Sequence, residues 1–427
     1  MRLRFPRQNE NLCKAALLLA TIKNDPERLD ALLELQRFLL RRIMSSEKRI
    51  SRLQRGRGRI SQRVSKGRLD KAQSQRLKRL ISDIDVRVRD IRDLMFTWRC
   101  FGDGIAATYQ SKYALKHLFY DENYDIKQSA GNISGKSGLR LEYKVLRRGI
   151  LSGVPVVLSD LTNIIRHGDT CFLAGEDPLP IELKSSKKLS KRARRQVEQL
   201  CELSSFYVND GAEEFRGNAN VQRQALASEE INYLDELNSC MDQAMRDGIA
   251  TISPENGVRY IAVRHDKPVE EKLCALLDEF ASKTTHCIFL APDERWLPLY
   301  PFSLSMSTEN SILFVQQIVG VMVLIDTSVL KSLFLEKGLH VICLMDGTCS
   351  LQICVDPENL SKGVFRLSRQ VYSRIAYEFQ SLRWFANEHS ELLQSTNLKY
   401  KEIVPSSEGI ISGHPPEWAQ ATDCFES

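Results

Sequence analysis

Two periodicities divide this chain. From Leu32 to Trp98, apolar residues return every three, four or seven positions, among them Leu32, Leu35, Leu39, Ile43, Ile50, Leu53, Ile60, Val64, Leu77, Ile81, Ile84, Val88, Ile91 and Leu94. Residues three and four apart share a helix face, so this spacing predicts long amphipathic helices folded as an antiparallel hairpin or coiled coil. Gly56, Gly58 and Gly67 weaken the middle of that pattern. Further helices are expected from Phe101 through Tyr124, around Glu142, from about Lys188 to Tyr207, and over 222–247. Beyond about residue 255 the pattern changes. Short apolar runs at 259–264, 287–291, 339–345 and 350–355 read as strands, alternating with helices expected at 269–283 and 368–390. The predicted class is α/β, in three parts: a helical basic arm over 1–100, a central domain over 101–250, and a C-terminal α/β or α+β module over 251–427.

The central domain breaks its own pattern at one place. His167-Gly-Asp169-Thr-Cys-Phe-Leu-Ala, a polar turn, then Leu179-Pro-Ile-Glu182-Leu-Lys184 reads as a β-hairpin with ionisable groups on one face. Glu182 and Lys184 stand two apart, so the pleat sends both to one side, while Ile181 and Leu183 are expected to face the core. Charges beside a core are costly unless they pair or hold a cation. Two carboxylates, Asp169 and Glu182, are the oxygen donors that Mg²⁺ or Mn²⁺ takes. The plain alternative is an edge hairpin whose charges face water and discourage edge pairing. Asp160, after a predicted strand over 154–159, competes with Asp169 for the first carboxylate; Asp169 is preferred because Asp160 stands further from the turn. An acid two before a lysine also occurs at Asp125, Glu142 and Glu270, but there in polar or helical stretches that form solvated faces.

This constellation resembles the active site of the PD-(D/E)XK nuclease superfamily, whose motif is an acidic residue, a hairpin, then Asp or Glu, any residue, and Lys. Here it is carried by Asp169 and Glu182-Leu183-Lys184, within roughly residues 130 to 208. The resemblance implies a restriction-endonuclease-like αβββαβ core and metal-dependent cleavage of phosphodiesters. Asp169 and Glu182 would be the metal ligands, with the Leu183 carbonyl beside them. Lys184 would orient or deprotonate a water. Glu142, on the preceding helix, would orient Lys184 or support a second metal. Gln196 or Gln199, on the following helix, would brace the site. The resemblance names DNA as substrate and, by analogy, bacterial restriction or anti-phage defence as setting; the residues alone permit RNA equally.

Charge sharpens the picture. Net charge is only +6, yet Arg37 to Arg79 holds sixteen Lys or Arg against two acids, Glu47 and Asp70. Such a local field suits phosphate backbones. Arg55, Arg57 and Arg59 are the arm's candidate contacts. Seven further basic residues run from Lys184 to Arg195, among them Lys187, Lys188, Lys191 and Arg192, where a cleaved strand would need holding. A non-catalytic binding or scaffold protein, gripping nucleic acid or assembling through the arm, is the competing class, and a partner protein or a second copy is the other partner the arm admits. Gly135-Lys136-Ser137 lacks the earlier glycine at the spacing of a phosphate loop and follows no strand, so it is read as a flexible entry to the Glu142 helix. The eleven cysteines show neither a CxxC pair nor a zinc spacing, and no apolar run is long enough to span a bilayer. A soluble protein of the reducing cytoplasm is expected.

Overall fold

The computed structural model describes residues 3–67, 69–121, 131–184, 191–280, 282–347, 349–359 and 364–399. It is a mixed α/β structure divided into two compact units, one of residues 5–223 with 292–304, the other of 1–4, 224–291 and 305–427. The helical arm and the charged hairpin therefore belong to one unit.

In that unit, α1 (Asn9–Asn24), α2 (Leu29–Lys66) and α3 (Lys71–Tyr109) pack together. The predicted hairpin is the α2–α3 pair, and Asp70 caps α3 by accepting the Gln73 N–H at 2.7 Å. Leu32, Leu35, Leu39 and Ile43 of α2 are buried, as are Val88, Ile91, Leu94, Trp98 and Phe101 of α3. From Lys48 of α2 to Arg87 of α3 no described residue is buried; Ile50, Leu53, Ile60 and Val64 of α2 and Leu77, Ile81 and Ile84 of α3 are half-buried, and the two helices pack on each other. That is the seam of a two-helix coiled coil without a third partner among the described residues. Contrary to expectation, no new helix starts at Phe101: α3 runs through Gly102 and Gly104 without a break. Gly102 is there for close approach, since a Cβ would come within 1.9 Å of the Leu161 carbonyl oxygen. The short α4 (Lys112–Leu115) follows.

After α5 (Leu139–Leu151), strands β1 (Val156–Leu158), β2 (Thr170–Phe172) and β3 (Leu179–Ile181) form an antiparallel sheet in the order β1-β2-β3. The free edge of β1 is closed by a side chain: Gln36 of α2 donates to the Val156 carbonyl at 2.7 Å and accepts the Leu158 N–H at 3.1 Å. An amide can mimic one rung of a ladder, and here it satisfies both backbone groups of a buried edge. Next come α6 (Lys191–Val208), β4 (Gly211–Phe215) and β5 (Asn218–Gln222). The chain order is thus α, three strands, α, strand, but β4 pairs with β5 in a separate hairpin and does not join the three-stranded sheet. Leu203 and Phe206 of α6 are buried, with Phe206 stacked on Phe215, whereas Val197 is exposed.

The other unit contains α7 (Leu234–Asp247), which packs on β6 (Ile249–Glu255) and β7 (Val258–Arg264). After α8 (Glu270–Phe280), β8 (Thr285–Leu290) and β9 (Val319–Asp326) complete an antiparallel sheet in the order β6-β7-β9-β8. The apolar run from Ile318 to Ile325 is this interior strand, apolar throughout because both its faces are covered. A second antiparallel sheet holds β10 (His340–Cys343), β11 (Cys349–Cys354) and β12 (Val364–Ser368). Two helix predictions are revised. Residues 222–247 contain only α7 as helix, and 368–390 divides into Arg369–Tyr377 and Leu382–Lys399 around Phe379, whose φ is +57°. Among the described residues no helix is long and apolar enough to cross a membrane.

Candidate functional site

The hairpin expected from the sequence is formed, with shorter strands than its pattern implies. Thr170 pairs with Ile181, Cys171 with Pro180 and Phe172 with Leu179. Beyond the last of these pairs the ladder becomes irregular: the Asp169 N–H also bonds the Ile181 carbonyl, at 2.8 Å. Gly168 makes the approach: its φ is +72°, and a Cβ would stand 2.9 Å from the Ile181 nitrogen. The faces are reversed from the expectation. Pro180 is buried and Leu179 is 50% exposed, so the enclosed side of β3 is the one shared with Glu182, whose side chain is only 7% exposed. A proline at the inner position removes a ladder donor and displaces the pattern that Ile181 and Leu183 suggest.

Asp169 ties the open end of the hairpin. Its Oδ2 accepts the Leu183 N–H at 2.8 Å, and its Oδ1 accepts from the Lys136 ammonium at 2.9 Å. That ammonium lies at the centre of three carboxylates: besides Asp169 it is 2.9 Å from Asp160 Oδ2 and 3.1 Å from Glu142 Oε1. Glu142, in the first turn of α5, is 3% exposed, and burial pushes its carboxyl upward, with Asp169 and Asp160 adding and Lys136 opposing. For Lys136 burial is the largest single influence and acts to lower the pKa; Asp160 and Asp169 outweigh it, and the value rises above that of an ordinary lysine. Lys184 pairs with Glu182, its own neighbour on the strand's extension. The expectation that Glu142 orients Lys184 is not met: Glu142 pairs with Lys136.

Lys136 and Asp160 are the residues that motif reasoning missed or set aside. Asp160 stands far from the hairpin turn in sequence, yet β1 and the loop after it return Asp160 to Lys136. That loop is held from α3. Arg99 Nε donates to the Asp160 carbonyl at 3.1 Å, and buried Asp103 accepts the Asn163 and Ile164 N–H groups at 2.6 and 3.0 Å. Burial pushes Asp103 up to about 6 against these hydrogen bonds. Burial also draws Arg166 down to about 10, with Asp103 opposing. The loop carrying Lys136 is held from α2, where Glu47 accepts the Ile133 and Ser134 N–H groups at 2.8 and 2.6 Å.

Other expected residues are placed as follows. Gln196 and Gln199 are half-buried on α6, which lies beside β3. Lys191 is exposed at the start of α6, while Lys187, Lys188 and the side chain of Arg192 lie outside the described residues. His167 is buried, its Nε2 2.8 Å from the Tyr120 carbonyl oxygen. Arg55, Arg57 and Arg59 are exposed on the arm, and Arg57 pairs with Asp85 across it at 2.6 Å.

Among the described residues no group of three or more His, Cys, Asp or Glu is arranged to hold a metal ion. The donors nevertheless suit a hard divalent cation in kind: carboxylate oxygens only, three of them already gathered round one positive charge. What stands among them is an ammonium. Comparison of the chain with family models, with curated proteins and with solved structures finds no match.

Proposed function

We propose that the unit carrying the hairpin is a metal-dependent nuclease of the PD-(D/E)XK type acting on DNA. The observation that carries this reading is the open end of the β2–β3 hairpin, where Asp169 bonds the backbone of Ile181 and of Leu183 on either side of Glu182, with Lys184 paired to Glu182 and buried Glu142 joined to Asp169 through Lys136. Asp169 and Glu182, with the Leu183 carbonyl, would hold Mg²⁺ or Mn²⁺. When bound, that ion supplies charge for the phosphate and a water of lowered pKa. Lys184 would orient that water or, in its neutral form, help remove its proton. Glu142 keeps Asp169 and Lys136 in register, and Gln199 braces the hairpin from α6. Lys191 and the arm arginines bind phosphate oxygens without reading bases.

Cleavage of double-stranded DNA, single-stranded DNA and RNA in Mg²⁺, Mn²⁺ or EDTA tests this, with wild type beside Glu182→Ala and Lys184→Ala. Metal-dependent cutting of DNA, lost in both variants while binding persists, is the expected result; no cutting under any condition overturns it. A second reading has its own support in the arm, whose surface from Lys48 to Arg87 is basic and without buried residues. There the protein binds nucleic acid without cutting it, and only arm substitutions change its behaviour.

A further inference from the structure

Lys136 belongs to no part of the hairpin motif, yet it makes more ion pairs with the site's carboxylates than Lys184 does. We propose that Lys136 is a tethered cation: its ammonium holds Glu142, Asp160 and Asp169 together in the metal-free protein and must leave for a divalent ion to bind. This rests on the nuclease reading above and adds a control to the same site. Carboxylates brought together at low exposure repel one another unless a positive charge sits among them. Lys136 supplies one charge where a divalent ion would supply two, and it already occupies Asp169 Oδ1, on a carboxylate proposed above as a metal ligand. The two cations compete for one place.

The loop is made so that the head group can leave while its base stays. Ile133 is buried, and Glu47 grips the N–H groups of Ile133 and Ser134, with the Ser134 hydroxyl bonding the Met44 carbonyl at 3.3 Å. Two residues after that grip comes Lys136, whose side chain is 29% exposed; between them, Gly135 has no neighbouring atom within 4 Å of a Cβ position. The four-carbon stem can swing to water without breaking the Glu47 contacts. Metal affinity is then set by how well the loop holds Lys136 in place, as well as by the ligands.

The test is Mn²⁺ binding to the full chain, by calorimetry and by the paramagnetic resonance of bound Mn²⁺, in wild type, Lys136→Met, Lys136→Arg and Glu47→Gln. Lys136→Met is expected to bind Mn²⁺ at least tenfold more tightly. It should melt below wild type in EDTA and gain more than wild type on adding Mn²⁺. Lys136→Arg keeps the charge and should match wild type. Glu47→Gln, which leaves Lys136 intact but can accept only one of the two N–H groups well, should lie between them, and it decides the matter if Lys136→Met does not fold. Equal Mn²⁺ affinity in all four overturns the tethered-cation role and leaves the nuclease reading standing. Absence of Mn²⁺ binding from all four overturns both.

Discussion

At the scale of single residues, the site depends on backbone positions as much as on its charges. Gly168 precedes Asp169 with a positive φ and lies against the Ile181 backbone, so Gly168→Ala is expected to cost about 2 kcal/mol or more, read from denaturant unfolding. Asp103 carries a different prediction. Its carboxyl titrates near 6 in the fold against an ordinary value of 3.8. The folded chain therefore holds a proton there that the unfolded chain has already released. The resulting stability is complete below about 4 and disappears as the pH rises through about 6, by on the order of 2 to 3 kcal/mol. Unfolding free energies measured from pH 4 to 7 should fall with that slope in wild type, and Asp103→Asn should remove that component. Neither residue announces itself in the sequence: Gly168 resembles any turn glycine, and Asp103, between two glycines, reads as a helix boundary.

At the scale of elements, the local parts were legible and the joints were not. The hairpin was recognisable because Asp169, Glu182 and Lys184 lie within sixteen residues and their strand period is interrupted only by charge. The arm was recognisable because its three-four spacing persists over many turns. Gln36, Glu47 and Lys136 escaped notice because their partners lie far along the chain, Gln36 to Leu158 being 122 residues apart and Glu47 to Ile133 being 86. A polar residue on a helix looks the same in sequence whether it meets water or the backbone of another element. The strand faces are not legible for a related reason, since the buried position of β3 is a proline and its exposed one a leucine. Gln36→Ala would leave a buried N–H and a carbonyl of β1 without partners, at a cost of about 2 to 4 kcal/mol by chemical denaturation. Gly56 and Gly58 make the opposite case. A Cβ at either meets nothing within 4 Å, so Gly56→Ala with Gly58→Ala should stabilise the arm, by about 0.5 to 1 kcal/mol at each position, seen as increased amide protection in the arm on hydrogen exchange.

At the scale of the whole molecule, charge is distributed unevenly by design of the sequence: the arm is basic although the chain is nearly balanced. If the arm meets phosphates, replacing Arg55, Arg57 and Arg59 with Ala should weaken duplex binding and reduce the slope of log affinity against log salt by about two to three, measured by fluorescence anisotropy. Unchanged salt dependence would remove the arm from the interface. One joint has a further consequence for how such a protein can vary. Glu47 is the last buried residue of α2 and also the carboxylate that grips the Lys136 loop. Beyond it, whole heptads can be added to or removed from both helices without turning any residue of the base. Before it, one inserted residue rotates Glu47 by about 100° away from the loop. The arm's length is thus free to drift while its phase is locked, and length variants should tolerate changes of seven residues but not of one.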